Sequence, residues 1–286
     1  RMYQVRARKQ LSQNFLLDER VARRFVQSAG DLGGSHVLEV GPGPGSLTRA
    51  ICETPPARLT VVEKDARFLP FLQQLAESAP CPVQVIHGDI LDLDYQTVFT
   101  DPDLSVRVIG NLPFSIATPL LFGFLRMSRA RTGPFQHDHA AELSLCFQKE
   151  VAERIVALPG TRNRSRVSIM AQHACQAEIT YPLPSSVFVP RPKVDAAVVK
   201  LVPLSMPLPV PYDELDEVVQ RAFTARRKTI RNSLMTGTAG LTPNVVDSIL
   251  EKSRIQPSLR PQLLDLVHFQ HLHTAMTEAD VFNTPT

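Results

Sequence analysis

The stretch His36-Val37-Leu38-Glu39-Val40-Gly41-Pro42-Gly43-Pro44-Gly45 decides the fold. A short, largely apolar run ends in glycines at alternate positions, as a buried parallel strand does on entering a tight turn. Glycines there let the backbone bend sharply and approach a ligand closely, next to a helix N-terminus. A helical pattern follows at roughly 45–53, and the alternation then repeats: strands at 59–63, 83–86, 106–109 and 142–147, helices at about 65–78 and 117–128. Strands alternating with helices predict a parallel sheet with helices on both faces. The expected fold class is α/β, Rossmann-like.

Further along, 148–158 and 164–175 read as helices, and 176–183 and 195–203 as strands that complete the sheet. Pro203, Pro207, Pro209 and Pro211 predict a stiff linker, because proline fixes the backbone and withholds a hydrogen-bond donor. Everything beyond about 212 reads as helical. Over 218–234 one helix is expected, with Val219, Phe223, Ile230 and Leu234 on its buried face and Arg221, Lys228 and Arg231 pointing away. Arg226 falls near the apolar stripe, which the pattern leaves unexplained. The domain organisation is therefore 1–204, carrying the sheet, and 205–286, a small helical C-terminal domain.

Three acids decorate the strand ends. Glu63 ends the second strand, twenty residues past Gly43, where a carboxylate can accept from both hydroxyls of a ribose. Asp89 follows Gly88 at the end of the third strand and can accept from the amino group of an adenine ring. The dinucleotide fingerprint G-x-G-x-x-G needs glycine at 46, where Ser46 stands; the spacing is G-x-G-x-G, with Glu39 two residues ahead. A carboxylate at that place repels a pyrophosphate and suits a cofactor with a sulfonium and an ammonium. S-adenosylmethionine is favoured over NAD.

The fourth strand ends in Asn111-Leu112-Pro113-Phe114. An exocyclic adenine amine is a weak nucleophile because its lone pair is delocalised into the ring. The side-chain oxygen of Asn111 and the carbonyl of Pro113 are expected to accept its two hydrogens, and Phe114 to offer a stacking face for a flipped base. Phe188, in Phe188-Val189-Pro190-Arg191-Pro192-Lys193, is a second candidate to close on that base, or else a core residue before a rigid turn.

Composition sets the class. The chain has 286 residues, a net charge of +3 and 43% hydrophobic residues, enough for a real core. No run approaches the roughly 18 apolar residues of a membrane span, so no membrane partner is expected. Basic residues cluster: Arg1, Arg6, Arg8 and Lys9 before the first acid; Arg126, Arg129 and Arg131; Arg162, Arg164 and Arg166; and Arg226, Arg227, Lys228 and Arg231. Such clusters neutralise phosphates or form solvated helix faces. Cys52, Cys81, Cys146 and Cys175 are widely spaced without a C-x-x-C pair, which fits free thiols. His268, His271 and His273 have no cysteine or carboxylate at ligand spacing, nor do His137 and His139, and no metal is expected. The chain starts at Arg1 rather than Met, which fits a trimmed or a processed start and leaves a removed targeting segment open.

At these residues the chain resembles the ribosomal RNA adenine dimethyltransferase family, which includes bacterial small-subunit enzymes and mitochondrial transcription factor B proteins. The motifs in family order are Gln13-Asn14-Phe15-Leu16, Val40-Gly41-Pro42-Gly43, Val62-Glu63-Lys64-Asp65, His87-Gly88-Asp89-Ile90 and Asn111-Leu112-Pro113-Phe114. Phe147-Gln148-Lys149-Glu150-Val151-Ala152-Glu153-Arg154, Phe188 through Asp195, and Arg226-Arg227-Lys228-Thr229-Ile230-Arg231-Asn232 complete the set. The resemblance implies a class I S-adenosylmethionine-dependent methyltransferase, with Asn14, Leu16, Gly41, Gly43, Glu63, Lys64, Asp89, Ile90 and Asn111 at the cofactor. It implies as substrate two adjacent adenosines in the hairpin loop near the 3′ end of small-subunit rRNA, each methylated twice. Arg226, Arg227, Lys228 and Arg231 would hold RNA. Gly133-Pro134-Phe135 and Arg164-Ser165-Arg166-Val167-Ser168 are similar to the mitochondrial branch, while Arg226 through Leu234 looks more bacterial. The expected setting is a monomer in the mitochondrial matrix, acting on rRNA or the pre-ribosomal small subunit, with the cytoplasm as the alternative. Two rival readings are an accessory factor for mitochondrial transcription and an adenine methyltransferase acting on DNA.

Overall fold

The computed structural model describes residues 13–137, 141–205, 209–238 and 241–282. The basic residues expected at Arg1, Arg6, Arg8 and Lys9, together with His139 and Pro207, lie outside the described residues.

By contacts the chain divides into two compact units. The first holds the described residues up to Ala152 together with Gln176–Ser205. Its elements are β1 (Phe15–Leu16), α1 (Glu19–Ser28), β2 (Ser35–Val40), α2 (Ser46–Glu53), β3 (Arg58–Glu63), α3 (Leu69–Ser78), β4 (Val83–His87), α4 (Tyr95–Val98), β5 (Ser105–Gly110), α5 (Phe114–Ala130) and β6 (Glu142–Gln148). After α6 (Lys149–Ile155) and α7 (Arg166–Ala174) come β7 (Cys175–Leu183), β8 (Phe188–Val189) and β9 (Ala196–Pro203). Seven strands form one sheet in the order β4-β3-β2-β5-β6-β9-β7. Neighbours from β4 to β6 are parallel, and β9 runs antiparallel to β6. Because β2 is central, both its faces are covered and all six of its residues are buried, including His36 and Glu39. That is why the opening run reads as nearly continuous rather than alternating. On one face α1 and α2 bring Phe25, Val26 and Ile51 onto Val37, Leu59 and Ile109.

Strand order reverses between β3-β2 and β2-β5, so the loops after β2 and β5 part at the carboxyl ends of adjacent strands. In open α/β sheets that crevice receives the ligand. Gly110 makes the approach possible: a Cβ there would meet Leu112 Cδ2 at 3.0 Å and the Val40 carbonyl oxygen at 3.1 Å.

The second unit holds Glu153–Cys175 and the described residues from 209 onward. Its later helices are α8 (Tyr212–Phe223), α9 (Ile230–Gly237), α10 (Pro243–Lys252) and α11 (Leu266–Glu278). This corrects the single cut expected at 204, which assigned 153–175 to the sheet domain. Arg164 supplies the reason. Fully buried, it donates to the carbonyls of Ala157 and Leu264 and to Gln172 Oε1, tying the segment to the approach of α11. A buried guanidinium requires such acceptors. Arg164 therefore leaves the set of residues available to phosphates. Arg166 is likewise paired, with Asp216 at 2.6 Å.

The single helix expected over 218–234 is two. Residues 224–228 form turns, and Thr229 caps α9. The Ile230 amide donates to the Leu259 carbonyl at 2.6 Å, outside any continuing helical ladder. Val219, Ile230 and Leu234 are buried as expected. His268 pairs with Asp265 at 2.6 Å and His273 with Glu214 at 2.7 Å, which gives two of the clustered histidines structural partners. No helix among the described residues is long and apolar enough to cross a membrane.

Candidate active site

Two adjoining cavities lie in the crevice, sharing Gln13, Gly41, Glu63 and Pro113 in their walls. The first adds Asn14, Phe15, Leu16, Glu39, Gly43 and Asn111; the second adds Lys64, Gly88, Asp89, Ile90, Ser115 and Ile116. Every residue expected at the cofactor borders one cavity or the other.

The loop after β2 builds the floor. Gly43 has φ +53°, the left-handed region that a side chain rarely adopts, and its missing Cβ leaves room for the Phe15 ring. Its amide donates to Glu63 Oε2 at 2.9 Å, while the Asp65 amide donates to Glu63 Oε1 at 2.7 Å. Each Glu63 oxygen thus holds one backbone donor and keeps a lone pair for another. Burial raises the Glu63 carboxyl, against these amide bonds, which lower it. Glu39, on β2, is 1% exposed, and its Oε2 has no hydrogen-bond partner.

At the other end Asp89 accepts from the Leu91 amide at 3.1 Å and from Lys64 Nζ at 2.6 Å. The Lys64 ammonium holds the Asp89 carboxyl below the usual carboxylate range. Asp89 is therefore an ionised acceptor, already turned by its own backbone.

The N-terminal segment closes the cleft. Gln13 Nε2 donates to Asp65 Oδ2 at 3.0 Å, and β1 pairs antiparallel with β8, Phe15 opposite Val189 and Leu16 opposite Phe188. Asn111 Nδ2 donates to the Asn14 carbonyl at 2.9 Å. That bond fixes the side-chain amide and leaves Oδ1 as the acceptor of a group bordering the cavity.

Two expectations fail at this site. Phe188 is 2% exposed and belongs to the core cluster with Leu16 and Leu183, so it is a packing residue and offers no face to a base. Strand alternation sends Leu16 and Phe188 inward as one pair and leaves Phe15 and Val189 for the other side. The Pro113 carbonyl is already engaged, accepting the Ile116 and Ala117 amides at 3.0 and 3.2 Å as α5 begins. Phe114 is half-buried against the core cluster and borders neither cavity, whereas Ser115 and Ile116 border the second. The expected helix start near 117 hid those two residues; α5 begins at Phe114.

Comparison with known proteins gives the same assignment. The family model described as ribosomal RNA adenine dimethylase matches residues 4–270. The chain belongs to the ribosomal RNA adenine dimethylase family. Within it, the chain is 42% identical over 282 residues to a mitochondrial dimethyladenosine transferase 1 of Macaca fascicularis, covering 95% of this chain and 81% of that protein. It is 41% identical to ribosomal RNA small subunit methyltransferase A of Paracoccus denitrificans, covering 97% and 94%. A dimethyladenosine transferase structure from Plasmodium falciparum superposes with a TM-score of 0.74 at 22% identity, covering 93% of this chain and 98% of that one. The 23S rRNA methyltransferase ErmE superposes at 0.66, also 22% identical, covering 92% and 100%. Both share the class I methyltransferase fold. The family's cofactor, S-adenosylmethionine, fits this cleft on chemical grounds. Its purine, ribose and cationic groups call for an ionised acceptor, a buried acceptor with spare lone pairs and a carboxyl oxygen free of protein partners, which Asp89, Glu63 and Glu39 Oε2 respectively provide.

The basic surface of this family member is smaller than its sequence suggests. Arg231 is bidentate to Asp247 at 2.6 and 2.9 Å, and Arg226, which lies on the turn between α8 and α9 and on no helix stripe, donates to the Arg162 carbonyl. Arg227 and Lys228 remain exposed on the turn between α8 and α9. Bonds from Gly160 to Gln262 and from Ile230 to Leu259 gather three loops, so exposed Arg162 and Arg260 join them, with Asp265, paired to His268, at the end of the third. Arg260 sits alone in sequence, so no run of charge marks it.

Proposed function

We propose that this chain uses S-adenosylmethionine to dimethylate two adjacent adenosines in the 3′-terminal hairpin loop of small-subunit rRNA. It acts in the mitochondrial matrix, as a monomer, on rRNA or the pre-ribosomal small subunit. Family membership supports the reaction; the names of the macaque and Paracoccus relatives support the compartment and the ribosomal subunit. The observation that carries the site is the anchored amide of Asn111.

S-adenosylmethionine supplies a methyl group made electrophilic by its sulfonium. Asn111 Oδ1 accepts one hydrogen of the adenine amine. The second goes to the carbonyl of Leu112, to which no backbone amide donates among the described residues. Two acceptors in one plane turn the nitrogen lone pair toward the donor, and orientation of this kind lowers a barrier substantially. Phe114 borders neither cofactor cavity but stays partly exposed at the first turn of α5, and the exposed part stacks on the base. No strong general base is needed, because the alkylated nitrogen is acidic and sheds its proton to water. Arg227, Lys228, Arg162 and Arg260 hold phosphates and release counterions.

Asn111→Ala tests the site. Methyl transfer to a small-subunit hairpin should fall by about a hundredfold or more, the scale of losing one preorganised polar contact. Cofactor affinity, by calorimetry, should stay within several-fold of the parent. Undiminished turnover would show that another group orients the amine. A preparation that binds cofactor and never labels RNA would favour a transcription accessory role instead.

A further inference from the structure

Two of the four cysteines meet at the end of the sheet away from the cleft. Cys52 lies in the last turn of α2, and Cys81 lies just ahead of β4. Strands β3 and β4 run parallel with Leu59 opposite Val83, and the Leu59 amide donates to the Pro82 carbonyl at 2.9 Å. The chain entering β4 is thus pinned beside the chain that leaves α2 for β3. Both side chains are half-buried and pack against one core cluster. Their thiols touch, joined by a direct hydrogen bond. Prolines stiffen both turns: Pro55 and Pro56 follow Cys52, and Pro80 and Pro82 flank Cys81. A pair held in this way has little backbone freedom left to lose when it is joined. Cys146 and Cys175, by contrast, are buried.

We propose that Cys52 and Cys81 are a dithiol oxidation site, which hydrogen peroxide converts into a disulfide that ties α2 to the entry of β4. Neither residue borders a cofactor cavity, and methyl transfer uses neither. Their surroundings select the oxidant, because a half-buried apolar corner admits a small neutral peroxide more readily than a charged peptide disulfide. They also set the order of events. Burial, with Cys81 and Glu39 beside it, pushes the Cys52 thiol up to about 12. Burial raises the Cys81 thiol too, but the hydrogen bond from Cys52 pulls it back, so Cys81 ionises first. The Cys81 thiolate attacks one peroxide oxygen; the S–O bond forms as the O–O bond breaks, and the departing hydroxide takes up a proton as water. The Cys52 sulfur then attacks the Cys81 sulfur. The S–S bond forms as the S–O bond breaks, and hydroxide leaves with the Cys52 proton as a second water. Together the sulfurs lose two electrons, and the peroxide gains them. Raised thiols hold little thiolate at neutral pH and leave a disulfide slowly, so the bond forms slowly and persists as a brace.

Peptide mass spectrometry of the folded chain after treatment with hydrogen peroxide tests this. The digest should hold a Cys52 peptide joined to a Cys81 peptide, about 2 Da lighter than the two reduced peptides together. Cys146 and Cys175 should remain open to alkylation once the chain is denatured, and dithiothreitol should undo the link. The oxidised parent should melt several degrees above the reduced parent, because the bond closes the loop between the two cysteines in the unfolded chain. Cys52→Ser should stop at an oxygen gained by Cys81, captured by dimedone, with no rise in melting temperature. The parent's own digest decides the question if that variant fails to fold. Oxygen gained at Cys81 of the parent without a link to Cys52, a link through Cys146 or Cys175 or between two chains, or thiols untouched by peroxide would each overturn the proposal and leave methyl transfer standing.

Discussion

Glu39 and Phe188 show how burial sorts residues that look alike on paper. A Glu39 carboxyl raised to about 8 from an ordinary 4.5 stays protonated in the folded chain while the unfolded chain has already released its proton. Between those two values each rise in pH favours unfolding. Glu39→Gln removes that liability. The variant should therefore melt higher than the parent, by a margin that widens from pH 5 to pH 8 and then levels off; a margin independent of pH would mean the carboxyl is not perturbed. Phe188 lies on the opposite side of the ledger. As a core ring at 2% exposure, Phe188→Ala should cost about 3–5 kcal/mol of stability in chemical denaturation. A variant of full stability that lost only affinity for RNA would restore the stacking role denied to it here.

Elements were legible where one physical signal dominated. The strands at 36–40 and 59–63 appear within a residue of their expected bounds, because a buried parallel strand has few ways to be written. The Asn111 loop was legible as a loop, but not the Asn14 carbonyl that anchors it, 97 residues away in sequence. Phe188 misled because a two-residue ribbon has no periodicity to read, and only its pairing with Leu16 tells inside from outside. The helix over 218–234 misled in the other direction: its apolar spacing survives across the break at 224–229, since α8 and α9 bury the same kind of face. That break puts Arg227 and Lys228 on an exposed turn. Reversing both charges should weaken binding to a small-subunit hairpin and flatten its salt dependence by roughly one to two units of log–log slope, with cofactor affinity unchanged. Equal RNA affinity in the double variant would make the turn a scaffold.

At the scale of the molecule, the catalytic cleft is walled wholly by the sheet unit, and the loops that carry Arg162, Arg227, Lys228 and Arg260 belong to the helical one. The chain leaves the sheet at Glu153 and returns at Gln176, an excursion invisible to composition because Arg164 reads as one more surface cation until its acceptors are known. The product of the reaction is a chemical mark that can be read directly. Nucleoside mass spectrometry of mitochondrial small-subunit rRNA, from cells with and without this chain, tests that most directly. Two adjacent N6,N6-dimethyladenosines near the 3′ end should vanish without the chain, return with it and fail to return with Asn111→Ala. Dimethylation that persists undiminished in its absence would contradict the account.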